Sequence, residues 1–413
     1  MLLLQILTTT SKTSASFFNF QFALLCVSNF LFSASFTMMI PELPGYLTHI
    51  GGQDYKGLII SLFTLMAGIS RPFSGKLTDT VGRVPVMIFG SLVCVVCSFS
   101  YTLFAGVAGF LLLRFVHGFS TGFKPTATSA YGADVVHESR RGEAIGILTM
   151  GYTVGMSLGP MFGSFLVSHY SYNGMFYASS AFALGSVAIL YNIKETLPKP
   201  QKFRFSILRL KPNELFIKTA IKPAVILLLL SFASGCTLTL APDLSENLGV
   251  HNKGVFFAIY TATSLLVRIF AGKSSDKYGR IPVLIISSIT LVVAMAILSF
   301  AHSQWMLFTG SAIFGLSWGM NGPTITAWTV DLAQPAMRGR AVASMYIALE
   351  AGIGIGAFIC AEIYNNLPAN FVYAFITPAF LAASAAILLV LWRKKKAQVF
   401  LVADVVALED ELM

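Results

Sequence analysis

The chain has 413 residues, 55% of them hydrophobic and 11% charged, with a mean hydropathy of +0.74. A water-soluble domain carries roughly a quarter of its residues as charges, so a soluble enzyme or scaffold is excluded. The net charge of +10 invites a nucleic-acid reading, which its placement along the chain removes.

Crossing a bilayer as a helix takes ~20 mostly apolar residues. Twelve such segments occur in order, near 20–47, 55–75, 85–107, 109–133, 144–168, 172–193, 222–247, 253–271, 282–301, 305–330, 341–364 and 369–392. The runs are continuous rather than alternating, which predicts helices and not barrel strands. The patch Met1 to Leu7 and the first segment lack a cleavage site, so the first segment is expected to stay. All five cysteines lie in apolar segments. Cys94 and Cys97 lack a second ligand pair, so packing is expected there and no metal or cofactor.

With both termini on one side, Arg71, Lys76, Arg83, Arg140, Arg141 and the basic stretch from Lys194 to Lys222 share that side with Arg268, Lys273, Arg280, Arg338, Arg340 and Arg393 to Lys396. The opposite loops carry only Lys56 and Lys253. This is the positive-inside bias of a membrane protein with cytoplasmic termini. It assigns the basic charge to topology, with the lipid bilayer as partner and no nucleic acid.

The chain also repeats itself. Arg71, Gly75, Lys76, Asp79, Gly82, Arg83 and Pro85 recur as Arg268, Gly272, Lys273, Asp276, Gly279, Arg280 and Pro282, at an offset of 197. The same offset carries Gly118 and Gly122 to Gly315 and Gly319, Asp134 and Arg141 to Asp331 and Arg338, and Gly155 and Gly159 to Gly352 and Gly356. Internal repeats of this size mark secondary transporters, with sites at the repeat interface. The expected organisation is an N-terminal six-helix bundle over 1–193, a cytoplasmic linker over 194–221, a C-terminal bundle over 222–392 and a cytoplasmic tail over 393–413. The linker contains an amphipathic piece around Phe203 to Ile217, expected to lie on the membrane surface.

Gly75 to Arg83, and again Gly272 to Arg280, resemble the signature loop of the major facilitator superfamily. The resemblance implies two pseudo-symmetric six-helix bundles that rock in alternating access. It also implies that Gly75, Asp79, Gly82, Arg83, Gly272, Asp276, Gly279 and Arg280 close the cytoplasmic side, with Asp79 at the start of helix 11 and Asp276 at the start of helix 5. Thr80 and Val84 stand where the family has further basic residues. In the fifth segment Gly151, Gly155, Gly159, Pro160 and Gly163 resemble the G-x3-G-P-x2-G motif of drug:proton antiporters. The second half has Ala357 where a proline would recur. Pro41-Glu42-Leu43-Pro44 and Glu195-Thr196-Leu197-Pro198 resemble further endings of that branch.

Charges inside spans point to function, because each is costly against lipid. Arg114, His117, Thr121 and Lys124 share one helical face, expected to line a water-filled cavity. The family implicates this arginine in proton coupling, and His117 stands in place of its usual glutamine. Glu42, Asp243 and Glu350 are the carboxylates expected to take a proton, with Arg114 switching between charged and neutral partners. Substrate-cavity candidates are Asn29, Lys124, Ser234, Trp318 and Asn321. No Gly-x4-Gly-Lys-Ser/Thr, His-Glu-x-x-His or Gly-x-Ser-x-Gly occurs, so ATP-driven pumping and enzyme activity are not expected. The reading is a monomeric, proton-coupled exporter of small amphipathic molecules in a bacterial cytoplasmic (inner) membrane. The alternatives are proton-coupled uptake of a nutrient and, from another class, a membrane-embedded sensor or enzyme.

Overall fold

Pro41 has no N–H to donate and biases Ile40 away from helical geometry, so the first apolar run does not continue unbroken from 20 to 47. In the computed structural model it divides into α1 (Phe20–Met39) and a short α2 (Leu43–His49). The structure describes residues 20–104, 106–135, 141–209, 218–333 and 338–411. Met1 to Leu7 lie outside these. The first half continues through α3 (Lys56–Thr80), α4 (Arg83–Ser100), α5 (Val107–Asp134), α6 (Arg141–His169) and α7 (Tyr172–Tyr191). The second half comprises α8 (Ile221–Asn247), α9 (Gly254–Tyr278), α10 (Arg280–Ser299), α11 (Gln304–Leu332), α12 (Arg338–Tyr364) and α13 (Phe371–Glu411). There is no strand among the described residues.

Helices occupy all twelve expected segments, with three differences at their ends. α4 stops at Ser100, short of 107, and the chain turns back through buried Tyr101 before α5 begins. α13 runs on past 392, so the expected tail is a continuation of the last helix. The linker contains single 3-10 turns at Phe205–Leu208 and Lys218–Ala220, and the expected amphipathic stretch is described only as far as Arg209. Among the described residues eight helices are long and apolar enough to cross a membrane, nine counting α9, which bends by 47° between Arg268 and Phe270. α5, α6 and α11, of 28, 29 and 29 residues, are long enough at ~1.5 Å per residue but interrupt their apolar runs with polar side chains.

Within each half the closest helix crossing is made by glycines. Gly151, Gly155, Gly159 and Gly163 recur every fourth residue on α6 and lie against α1. A Cβ on Gly159 would sit 2.8 Å from the Ala34 carbonyl oxygen, and one on Gly155 2.5 Å from that of Phe30. Gly352 and Gly356 of α12 meet Leu228 and Phe232 of α8 in the same way. Small residues are what let spanning helices approach backbone to backbone. The helix-5 motif therefore builds the interior of one half. Its Pro160 meets Gly254 of the other half.

The two cores differ. In the second half one apolar cluster runs continuously through Leu230, Leu284, Leu298, Phe314 and Phe375. The first half is split into three clusters, around Leu25, Met87 and Phe123, around Phe32, Phe36 and Phe63, and around Met39, Tyr101 and Phe110.

Candidate functional site

Both signature loops turn on a glycine in a backbone conformation that other residues avoid. Gly82 has φ +140° and Gly279 φ +89°. Behind Gly82, the Glu195 carboxylate accepts from the N–H groups of Arg83 (3.0 Å), Val84 (2.9 Å), Thr196 (2.9 Å) and Leu197 (2.8 Å). It thereby sits at the positive end of α4. A side chain on Gly82 would meet it at 2.6 Å. Arg83 reaches Asp134 (3.0 Å) and the Thr78 carbonyl, and Arg280 repeats this with Asp331 (2.9 Å) and Ser275 (2.7 Å). The linker is tied to the first loop, with the Gln201 N–H donating to Thr80 O (2.8 Å) and Lys76 Nζ to Arg209 O (2.6 Å).

Among the described residues, Asp79 and Asp276 make no ion pair with the opposite half. Their side chains are 73% and 71% exposed and pair instead with Arg83 and Arg280 in their own loops. A Cβ on Gly75 or Gly272 would meet nothing within 4 Å. The ion pairs of both acids among the described residues are therefore with the arginine of their own loop.

At the opposite face the halves touch. Lys56 of α3 pairs with Asp243 of α8 at 2.5 Å. Glu42 accepts from Ser164 Oγ (2.6 Å), which accepts from the Gly254 N–H (3.2 Å), so the start of α2, α6 and α9 are linked in series. Burial opposes the charge of Lys253, but the hydrogen bond to Glu246 and the nearby Glu42 raise its pKa above the ordinary lysine value. Backbone meets backbone here at two glycines. A Cβ on Gly57 would lie 2.8 Å from Ala361 Cβ and 3.1 Å from Ala357 O, and one on Gly254 would run into the Pro160 carbonyl group. Lys56-Gly57 and Lys253-Gly254 obey the same 197 offset, as do Pro160 and Ala357. The repeat thus held the signal for these residues, though the composition of their segments did not.

Between the faces, α3 and α12 run together. Ser61 Oγ donates to Gly354 O at 2.8 Å. One helical turn before Gly75, Arg71 meets Glu350 through Nη2 (2.5 Å) and Nε (3.2 Å). The pair is 14% and 10% exposed, and the Tyr346 ring lies 4.8 Å from the guanidinium. Arg71 is therefore not the loop charge that topology assigns it to. It is an intramembrane cation bonded across the halves.

The face of α5 is corrected more strongly. Arg114 is 1% exposed and His117 and Lys124 0%, so they line no cavity here. They point into the first bundle. Arg114 Nε donates to Ile59 O (3.0 Å) and its guanidinium lies 4.5 Å from the Phe63 ring centroid, with no carboxylate partner among the described residues. Glu42 and Asp243, bonded to Ser164 and Lys56, are not paired with it. Lys124 Nζ donates to Ser28 O (2.8 Å), Ser28 Oγ (3.0 Å) and Ser186 Oγ (2.6 Å). Helical spacing tells which residues share a face but not which neighbour that face meets. Among the cavity candidates, Asn29 Oδ1, Ser234 Oγ and Asn321 Oδ1 are buried without a hydrogen-bond partner, and Trp318 stacks on Phe314 with centroids 6.3 Å apart.

The comparisons agree with this architecture. The family model described as Major Facilitator Superfamily matches residues 25–239 and 223–403. The chain is 27% identical over 329 residues to the "Multidrug resistance protein MdtG" of Escherichia fergusonii, covering 75% of this chain and 79% of that protein. It is 26% identical over 317 residues to the "Multi-drug resistance efflux pump PmrA" of Streptococcus pneumoniae, covering 72% and 78%. Among solved structures, the nucleoside transporter NupG superposes with a TM-score of 0.75 at 13% identity, covering 90% of this chain and 99% of that one. The human organic anion transporter MFSD10 does so with a TM-score of 0.69 at 17% identity, covering 89% and 98%. A multi-pass helical chain whose signature loops recur in two like halves, and whose residues 25–403 match the family model, is a membrane transporter and not an enzyme: it belongs to the Major Facilitator Superfamily.

Proposed function

We propose that this chain is a proton-coupled exporter of small amphipathic molecules, working by alternating access in a bacterial cytoplasmic membrane with both termini inside. The observation that carries the reading is the Arg71–Glu350 pair, a buried charge bridge from one half to the other. A proton arriving at Glu350 neutralises it, and a neutral acid no longer holds the arginine. With the signature loops cytoplasmic, the conformation described above is the inward-facing one. The names of the relatives favour multidrug substrates. Purified protein in proteoliposomes with an imposed pH gradient, offered a panel of lipophilic dyes and drugs, should move at least one solute up its concentration gradient while protons move down theirs in the opposite direction. Solute and proton moving in the same direction would establish uptake instead, and gradient-independent movement would remove the coupling.

The orientation follows from the charge asymmetry. Lys202 lies in the basic linker, so a cysteine placed there should react with an impermeant maleimide only after the membrane is opened. Labelling in intact cells would reverse the topology.

A further inference from the structure

The polar residues that divide the core of the first half are spaced by seven on α1, α5 and α7 and by three on α4. One layer contains Ser28 of α1, Ser91 of α4, Lys124 of α5 and Ser186 of α7. The next contains Ser35, Cys94, His117 and Ser179 on the same helices. All eight side chains are 0% exposed. In the Lys124 layer, the three donors of the ammonium are matched by Ser28 O, Ser28 Oγ and Ser186 Oγ, and the Phe32 ring centroid lies 4.6 Å away. In the His117 layer, Nδ1 lies 3.4 Å from the Tyr101 hydroxyl and Nε2 3.2 Å from Cys94 Sγ, which lies 3.2 Å from Ser35 Oγ. Ser35 and Ser179 bond each other in turn.

Every side-chain partner of the two bases is a hydroxyl, phenol or thiol. Such groups donate or accept as required, because their hydrogens rotate. Either protonation state of His117 or Lys124 is therefore satisfied without moving a heavy atom. A purely structural lysine is expected to have a fixed carboxylate, since an unpaired buried charge is costly. The charged or titratable groups around the two bases are Arg114, Tyr101 and Cys94. The fold does not demand the arrangement, because the 197 offset places Phe314 opposite His117, Asn321 opposite Lys124 and Leu291 opposite Cys94 in the second half.

We infer that His117 and Lys124 form a carboxylate-free proton-binding site inside the first bundle, separate from Glu350, whose occupancy biases the two arrangements of the transporter. This rests on the proton-coupled reading. The test needs no substrate. Nitroxides at Asn192 and Lys277, one on each half near the signature-loop face, report its opening by pulsed electron spin resonance in nanodiscs at pH 5.5 and 8.5. The parent and Glu350→Gln should both shift between populations with pH, by up to about tenfold per pH unit for one fully coupled proton. In the Glu350→Gln background, His117→Gln with Lys124→Met should abolish the shift. Lys124→Met removes the charge permanently and Lys124→Arg retains it permanently, so singly they should move the population in opposite directions at fixed pH. A site that serves packing alone predicts the same direction for both, which overturns the inference, as does a pH response undiminished in the folded double variant. If the double variant does not fold, the His117→Gln and Lys124→Arg chains decide by the same criteria. No pH response in the parent would overturn the coupled reading and this site together, whereas a response in the parent that survives the column variants removes the site alone.

Discussion

Glu350→Gln is expected to abolish gradient-driven transport, and Arg71→Gln added to it is expected to restore assembly without restoring coupling. Removing one partner of a buried ion pair costs ~3–5 kcal/mol, because the remaining charge is stranded. Arg71 has no second carboxylate among the described residues, and the Tyr346 ring alone does not replace one. The stranded guanidinium is relieved only by water, so the population moves away from the arrangement in which α3 and α12 are in register. Removing the arginine as well abolishes that penalty, but the charge that responds to a proton is gone. The measurements are proton flux in proteoliposomes and the melting temperature of each purified variant. Parental flux in Glu350→Gln would show that the pair serves packing and would end the assignment of Glu350 as a coupling group.

The second large effect is expected at Gly57 and Gly254. Gly254→Val places branched carbons against the carbonyl group of Pro160, where no side-chain rotation gives relief. Overpacking of this kind costs ~1–3 kcal/mol, roughly a 5- to 150-fold change in the ratio of two states. The closed opposite face is the state penalised, so Gly57→Val and Gly254→Val should each hold it open. A cysteine at Ser61, which bonds across to Gly354 in this structure, should become reactive in both variants. Gly75→Val and Gly272→Val supply the contrast. Their sites are open here, so they should leave this state intact and oppose closure of the signature-loop face. Unchanged reactivity at Ser61 in both opposite-face variants would mean that the two glycines do not gate.

The twelve segments, the two halves and the signature loops were legible because hydropathy and a 197-residue repeat need no knowledge of neighbours. Arg71 was misread because a cation one helical turn before a loop carries the same topology signal as one inside it. Glu350 was recognised as unusual, but its partner lies 279 positions away, and no local pattern connects them. Lys124 and His117 were seen to share a face. The residues that receive that face, Ser28 and Ser186 for one and Tyr101 and Cys94 for the other, come from other helices. The seven-residue spacing of serines on α1 and α7 was the available clue. Asp79 and Asp276 depend on conformation as well as on sequence, so a single state shows them with local partners only.

The two intramembrane arginines differ electrically. Arg71 and Glu350 form a neutral unit, and displacing both together through the bilayer transfers no net charge. Arg114 carries its charge in every state and has no carboxylate beside it. A charge crossing the whole membrane potential is worth ~2.3 kcal/mol per 100 mV, and one carried part of the way takes that fraction. Rocking of the first half therefore does work against the voltage through Arg114 on α5 in every state and through Arg71 on α3 once Glu350 is neutralised, and an inside-negative potential favours whichever arrangement holds these charges nearer the cytoplasm.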